Sequence, residues 1–214
     1  ARQIFVVEQA FAAALGTGLP VYEPQGSFVV DIGGGTTEVA LVSMGGVVLS
    51  HSVRVAGNKI DEAIAGFLKK QHAILVTDRV AEQIKFDLAD VRSEKKMEHI
   101  AVVRGRDIAT GMPLTVDVNM ANVSEAIREP LQEILGAIKW VLGRVPPELC
   151  SDILQNGIYL TGGSAALPNL DTMIATEFGV PVSVARDAGE CTTLGAGYMA
   201  DHFDMLGGVS GKND

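Results

Sequence analysis

The stretch Asp31-Ile32-Gly33-Gly34-Gly35-Thr36-Thr37-Glu38 carries the strongest chemical signal in the sequence. An acid ends an apolar run, three glycines turn the chain, and two hydroxyls open the next run. Glycines permit φ > 0 and let a ligand approach the backbone closely. Consecutive N–H groups in such a turn form an anion-binding concavity. Thr36 and Thr37 can donate to phosphate or hold a metal-bound water, and Asp31 can hold Mg2+ through water, since both ions favour oxygen partners of this kind. The stretch lacks the GK[ST] ending of a P-loop and the GxGxxG spacing of a dinucleotide fingerprint. A tight β-hairpin with glycines at its tip accounts for it equally well.

Three weaker signals accompany it. Leu160-Thr161-Gly162-Gly163-Ser164-Ala165 again runs a strand into glycines, now ahead of a helix; close strand–helix packing and close approach to a nucleotide both explain it. In Glu82-Gln83-Ile84-Lys85, the acid and the base sit at i, i+3 on one helix face, away from the apolar stripe; a solvated ion pair is the ordinary reading of that spacing. Glu8-Gln9 precedes an alanine-rich helix, where either side chain can orient a water or simply start the helix. His51, His72, His99 and His202 have no metal-ligand spacing, Cys150 and Cys191 form no CxxC pair, and no Ser/His/Asp or Cys/His arrangement can be assembled. Trp140 reads as packed rather than ligand-stacking.

The elements that position these residues follow from periodicity. Ser27 to Ile32 is apolar throughout, the pattern of a strand covered on both faces. Thr36 to Met44 and Gly46 to Val55 predict two more strands joined at Gly45-Gly46. The period then becomes helical: Ile60, Ala63, Ile64, Phe67 and Leu68 predict an amphipathic helix capped by Asn58, and a second helix runs from Thr77 to Asp90. Ile100 to Val103 and Leu114 to Val118 read as a strand pair, with turns at Arg104-Gly105-Arg106-Asp107 and Gly111-Met112-Pro113. A long helix starts at Asn122 with Glu125 three residues on, and Pro130 inside it predicts a kink or a late start. Gly157 to Thr161 is a strand, Leu167 to Phe178 a helix, Val180 to Val184 a strand and Cys191 to Phe203 a final helix. The tail from Gly207 reads as frayed. The fold class is α/β with an inserted smaller block.

The chain has 214 residues, 47% of them hydrophobic and 20% charged, which excludes wholesale disorder. Its net charge of −9 is diffuse and argues against nucleic acid as a partner. No apolar run approaches the ~20 residues of a membrane span. The two cysteines are simplest to read in a reducing cytoplasm. The opening inside an apolar run, without Met, suggests a piece of something longer.

Taken in order, Gln9-Ala10-Phe11-Ala12-Ala13-Ala14-Leu15-Gly16-Thr17-Gly18, then Asp31 to Glu38, then Glu82 to Lys85, then Thr161 to Ala165 resembles the actin/DnaK/hexokinase ATPase superfamily. The intervening text narrows the likeness. Val30 to Ala40, Arg54-Val55-Ala56-Gly57, Val103-Arg104-Gly105-Arg106-Asp107, Thr110-Gly111-Met112-Pro113 and Pro146-Pro147-Glu148-Leu149 resemble MreB-type bacterial actins. The resemblance covers nearly the whole chain but only the second half of such a protein; the family's first DxGT-type phosphate loop has no counterpart here.

The resemblance implies an RNase-H-like (actin-like ATPase) subdomain IIA, residues 1–56 and 123–214, with an inserted α+β subdomain IIB, residues 57–122. It implies ATP or ADP with Mg2+ as cofactors. Gly34, Gly35 and Thr36 match the second phosphate loop. Glu82, Gln83, Ile84 and Lys85 match the segment that meets the adenosine moiety, and Gly162, Gly163, Ser164 and Ala165 match the adenosine loop. Gln9, Asp31 and Thr37 fall in the catalytic group, with Gln9-Ala10 standing where bacterial members usually carry Glu-Pro. Gln orients a water but cannot act as a general base, so slow hydrolysis is implied, or else Glu8 takes part. By the same likeness the intact protein is a slow ATPase that self-assembles into filaments in the cytoplasm on the inner membrane surface and organises the cell-wall elongation machinery. The piece alone is expected to bind nucleotide weakly without hydrolysing it. A DnaK-like or sugar-kinase-like ATPase, a naturally short interaction module, and a magnetosome or plasmid-segregating actin are the alternatives.

Overall fold

The computed structural model describes residues 6–88, 91 and 100–202. Ile4-Phe5 of the opening run, Asp90, His99, Phe203 and the tail from Gly207 lie outside the described residues. Val6 and Val7 belong to no regular element. The chain then forms α1 (Gln9–Gly16), β1 (Ser27–Ile32), β2 (Thr37–Ser43), β3 (Gly46–Val53), α2 (Gly57–His72), β4 (Ile74–Leu75) and α3 (Asp78–Leu88). After these come β5 (Ile100–Asp107), β6 (Pro113–Asn119), α4 (Met120–Ala126), α5 (Arg128–Leu142), α6 (Pro147–Asn156), β7 (Ile158–Thr161), α7 (Leu170–Phe178), β8 (Val182–Val184) and α8 (Cys191–Asp201).

Five strands form a mixed sheet in the order β3-β2-β1-β7-β8. The all-apolar run of β1 takes the central place, and every residue of it is buried. β3 lies at the edge and alternates half-buried with exposed positions, as a strand with one wet face should. On one face, Val29, Ala40 and Val42 pack with Ala10 to Ala14 of α1 and Met199 of α8. On the other, Phe28, Val30, Ile32, Val39 and Leu41 join Ile134, Ile138 and Val141 of α5. That second cluster continues through Ile60, Ile64 and Leu68 of α2 to Val103 of β5, so the core runs unbroken into a three-stranded sheet ordered β4-β5-β6.

α1 and α8 touch backbone to backbone. A Cβ placed on Gly16 would lie 1.8 Å from the Cys191 carbonyl oxygen, and one on Gly195 would lie 1.8 Å from that of Ala12. On the outer side of α5, Trp140 stacks on His51 of β3 with ring centroids 4.5 Å apart, and the Arg144 guanidinium lies 3.9 Å from the centre of the Trp140 ring.

Several boundaries differ from the sequence expectation, each for a physical reason. Arg104 to Asp107 is strand rather than turn. Gly105 is there because a Cβ would meet the Leu75 carbonyl at 2.3 Å, so the glycine admits the neighbouring strand β4. α2 starts with Ala56 as its N-cap and no side-chain cap, so Asn58 is not the capping residue. Asn119, not Asn122, caps α4: its Oδ1 accepts from the Ala121 N–H at 2.8 Å. Of the kink or late start expected from Pro130, the late start is what occurs: the chain breaks at Ile127 and α5 begins at Arg128, leaving the proline in its first turn, where its missing N–H costs little. Pro147 likewise opens α6, a helix absent from the sequence reading. The helix expected from Leu167 begins at Leu170, behind a 3-10 turn over Gly163–Ala166.

Candidate functional site

Strands β1 and β7 run parallel, with Asp31 beside Thr161 in the register, and each ends in a glycine corner. In sheets with parallel neighbours, ligands bind outside the carboxyl ends of the strands, and both corners lie there. Asp31 is buried near the end of β1. Its Oδ2 accepts from Gln9 Nε2 at 2.8 Å and from Thr192 Oγ1 at 3.2 Å. Gln9 and Asp31, more than twenty positions apart, are therefore brought together. Glu38, paired with Asp31 across β1 and β2, adds a carboxyl whose pKa is raised by burial and then by the Asp31 charge, partly offset by the Ala10 N–H.

Thr37 does not join them. It pairs with Ile32 and so points to the opposite face of the sheet; it is fully buried, and its hydroxyl donates to the Val55 carbonyl at 2.6 Å. Its proton is committed to holding the end of the hairpin.

The three-glycine turn is fixed from one side. The Gly57 N–H donates to the Gly33 carbonyl at 3.1 Å and the Asn58 N–H to the Gly34 carbonyl at 2.8 Å, so the first free amides of α2 hold the turn. All peptides among the described residues are trans, and in a trans peptide the C=O of one residue and the N–H of the next point opposite ways. The Gly34 and Gly35 N–H groups consequently aim away from α2, at two residues that are exposed. The Gly33 N–H closes the turn on the Thr36 carbonyl at 3.0 Å, and Thr36 itself is half-buried. None of the three glycines has φ > 0, which corrects the expectation from their type. What they supply is room: a Cβ on Gly35 would have nothing within 4 Å.

The second corner does need its glycine. Gly162 has φ +84°, and a Cβ there would meet the Ile32 carbonyl at 2.3 Å and Asp31 Oδ1 at 2.6 Å. Gly163 follows in open space, Ala165 is buried, and Ser164 donates its hydroxyl to the Gly33 carbonyl at 2.9 Å. The two corners are thus tied to each other directly. The Thr161 hydroxyl beside them is buried without a partner.

Lys85 arrives from α3. It is 2% exposed, and its partner is Asp61 of α2, with Nζ 3.0 Å from Oδ1 and 3.1 Å from Oδ2. Only the bond to Oδ2 is well aligned, leaving Oδ1 in ionic contact but without a directed donor. Burial pushes the Asp61 carboxyl up, against the hydrogen bond and charge of Lys85. The expected pairing of Lys85 with Glu82 is corrected: Glu82 is exposed and Lys85 turns inward. Gly57 shows where Lys85 points, since a Cβ there would lie 2.5 Å from Ser164 Oγ and 3.3 Å from both the Gly33 carbonyl and Lys85 Nζ. Gln83 lines a separate cavity of about 360 Å³ between α3 and β5, and Ile84 belongs to the apolar core; neither comes to the junction.

Among the described residues, no group of three or more His, Cys, Asp or Glu is placed to hold a metal ion. Mg2+ typically keeps several waters and takes one or two carboxylates together with ligand phosphates. Asp31, with Oδ2 already holding two donors, fits such an outer role. Asp31 had been singled out in sequence; Thr192 had not, because no motif marks it.

A five-stranded mixed sheet with helices on both faces, a second small sheet inserted after β3, and two glycine corners meeting at the strand ends is an actin-like fold. The MreB/Mbl protein family model matches residues 1–208, and the chain belongs to that family. It is 45% identical over 208 residues to the cell shape-determining protein MreB of Escherichia coli (strain K12), covering 97% of this chain and 60% of that protein. It is 42% identical over 205 residues to the cell shape-determining protein Mbl of Bacillus subtilis (strain 168), covering 96% and 61%. The chain thus spans about 60% of the length of these curated relatives. Among solved structures, MreB5 of Spiroplasma citri bound to ADP superposes with a TM-score of 0.86 at 31% identity, covering 94% of this chain and 61% of that one. The MamK double helical filament superposes at 0.70 and 22% identity, covering 91% and 58%, a likeness of fold alone.

Proposed function

We propose that this chain is the nucleotide-binding second half of an MreB-type filament protein, holding ATP or ADP with Mg2+ at the junction of its two glycine corners. The observation that carries the reading is the pair of Gly34 and Gly35 amides presented on the side of the turn away from α2, a concavity suited to phosphate oxygens. Glu82, exposed on α3, serves the adenosine side, Lys85 backs it from its buried pair with Asp61, and Gly162 to Ala165 form the second wall. Asp31 holds Mg2+ through water, the ion supplying charge neutralisation of the phosphates when bound. Gln9, with its Nε2 engaged by Asp31, offers Oε1 to align a water but cannot remove its proton. MreB5, a relative at 31% identity, has been solved with ADP, which supports the assignment of a nucleotide.

In this reading residues 1–56 and 123–214 form subdomain IIA and 57–122 subdomain IIB. The full-length gene product assembles with itself on the inner membrane surface in the cytoplasm, hydrolyses ATP slowly and organises cell-wall elongation. No helix among the described residues is long and apolar enough to cross a membrane.

Gly35→Ala tests the reading, because the fold itself leaves room for the added methyl. In the full-length protein, MgATP affinity should fall roughly ten- to a hundredfold, the cost of forcing a methyl into a filled contact, while the melting temperature stays put. Unchanged affinity would move the phosphates elsewhere.

A further inference from the structure

We propose that Thr192 is a positioning residue of this site: its hydroxyl holds the Asp31 carboxylate, and through it the Gln9 side chain, in the arrangement that hydrolysis needs. The inference rests on the nucleotide reading above and adds a residue to it.

Asp31 is a buried acid at the end of the central strand, and one of its oxygens receives both directed donors. The donors come from the first turns of two different helices, Gln9 from α1 and Thr192 from α8. Those helices leave each other no slack. Gly16 and Gly195 interlock, and the carbonyl that Gly16 touches belongs to Cys191, the residue before Thr192. The Thr192 backbone is therefore fixed relative to α1, and its short β-branched side chain has fewer rotamers to choose from than the long Gln9 side chain. Gln9 is the opposite case, an exposed residue on a long flexible side chain. With Gln9 as the only donor, Oδ2 of Asp31 would be held by an exposed, flexible side chain alone. With Thr192 as the second donor, the carboxylate has one orientation: Oδ2 toward the helices and Oδ1 toward the Gly162 corner. The Gln9 amide then has one orientation as well, with Nε2 spent on Asp31 and Oε1 free to accept from a water. The 3.2 Å contact is longer than the usual hydroxyl hydrogen bond, so its loss loosens the geometry rather than abolishing it.

Three variants of the full-length gene product test this. Thr192→Val removes the hydroxyl and keeps the shape, Thr192→Ala removes it with less steric risk, and Thr192→Ser keeps it. Steady-state phosphate release and MgATP binding are measured on each, with thermal melts. Val and Ala should lower kcat on the order of tenfold, the scale of a small misplacement of a reacting group, with KM and nucleotide affinity within about twofold. Ser should restore kcat, and the melts of Ala and Ser should match. Wild-type kcat in both Val and Ala overturns the proposal, and so does a Ser variant as slow as Ala. A change in KM alone also overturns it, since it would make Thr192 part of binding. Should the wild-type protein neither bind nor hydrolyse ATP, the nucleotide reading itself falls and takes this inference with it, a result distinct from an active wild type with indifferent variants.

Discussion

Replacing Lys85 by Met keeps most of the apolar stem and deletes the charge. A solvated partner of Glu82 would lose about 0–1 kcal/mol on such a change. In the structure the ammonium is 2% exposed and its partner Asp61 13%, so the variant strands a carboxylate. Breaking a fully buried pair by removing one member costs ~3–5 kcal/mol, and the residual exposure of Asp61 lowers this to roughly 2–3 kcal/mol. For a chain of this size each kcal/mol moves the melting temperature by about 2–4 °C, so a fall of about 4–12 °C is expected at neutral pH. The acid dependence has a definite sign. Burial already raises the Asp61 carboxyl, and without Lys85 nothing nearby opposes that rise. A raised carboxyl binds protons in the folded state that the unfolded chain releases, so stability falls as pH climbs through the window between the two values. The deficit of Lys85→Met should therefore shrink on acidification. Asp61→Asn combined with Lys85→Met, which removes both charges, should recover most of the loss. Melts by circular dichroism over a pH series measure all three. A single variant within 1 kcal/mol of wild type at pH 7, or a double variant no better than the single, would refute the buried pair.

Gly195→Ala drives a methyl into the Ala12 carbonyl, and α1 and α8 must separate; a loss of more than ~3 kcal/mol, or failure to fold, should appear in urea titrations. Glu38→Gln removes a carboxyl whose pKa is raised by burial and by Asp31 while keeping an acceptor for the Ala10 N–H. It should melt above wild type at pH 7, and the gap should close as pH falls through the raised value, because protonation does to wild type what the substitution has already done.

The strand that carries Asp31 was legible because burial on both faces writes a nearly unbroken apolar run, and the two glycine corners because a run of glycines follows directly on each apolar strand. The partners of the site were not legible. Asp61 lies on a different helix from Lys85, and the nearer Glu82 offered a plausible local pair. Thr192 sits in no pattern, and only the α1–α8 crossing brings it to Asp31. Gly105 misled for a related reason: a glycine amid charges reads as a turn, whereas here it lets a neighbouring backbone in. Local spacing reports what a residue's own element allows, and long-range approach decides which of those options is taken.

The stack of His51, Trp140 and Arg144 gives the protein a built-in optical probe. Trp140 is the chain's single tryptophan, so all indole emission comes from one place, where the edge strand β3 meets α5. With an imidazole on the ring and a guanidinium against it, the emission is sensitive to whether those two elements remain docked. Neither glycine corner contributes a ring or cation to that stack. Intrinsic fluorescence should thus follow the undocking of β3 from α5, whereas nucleotide occupancy must be read with a labelled ligand.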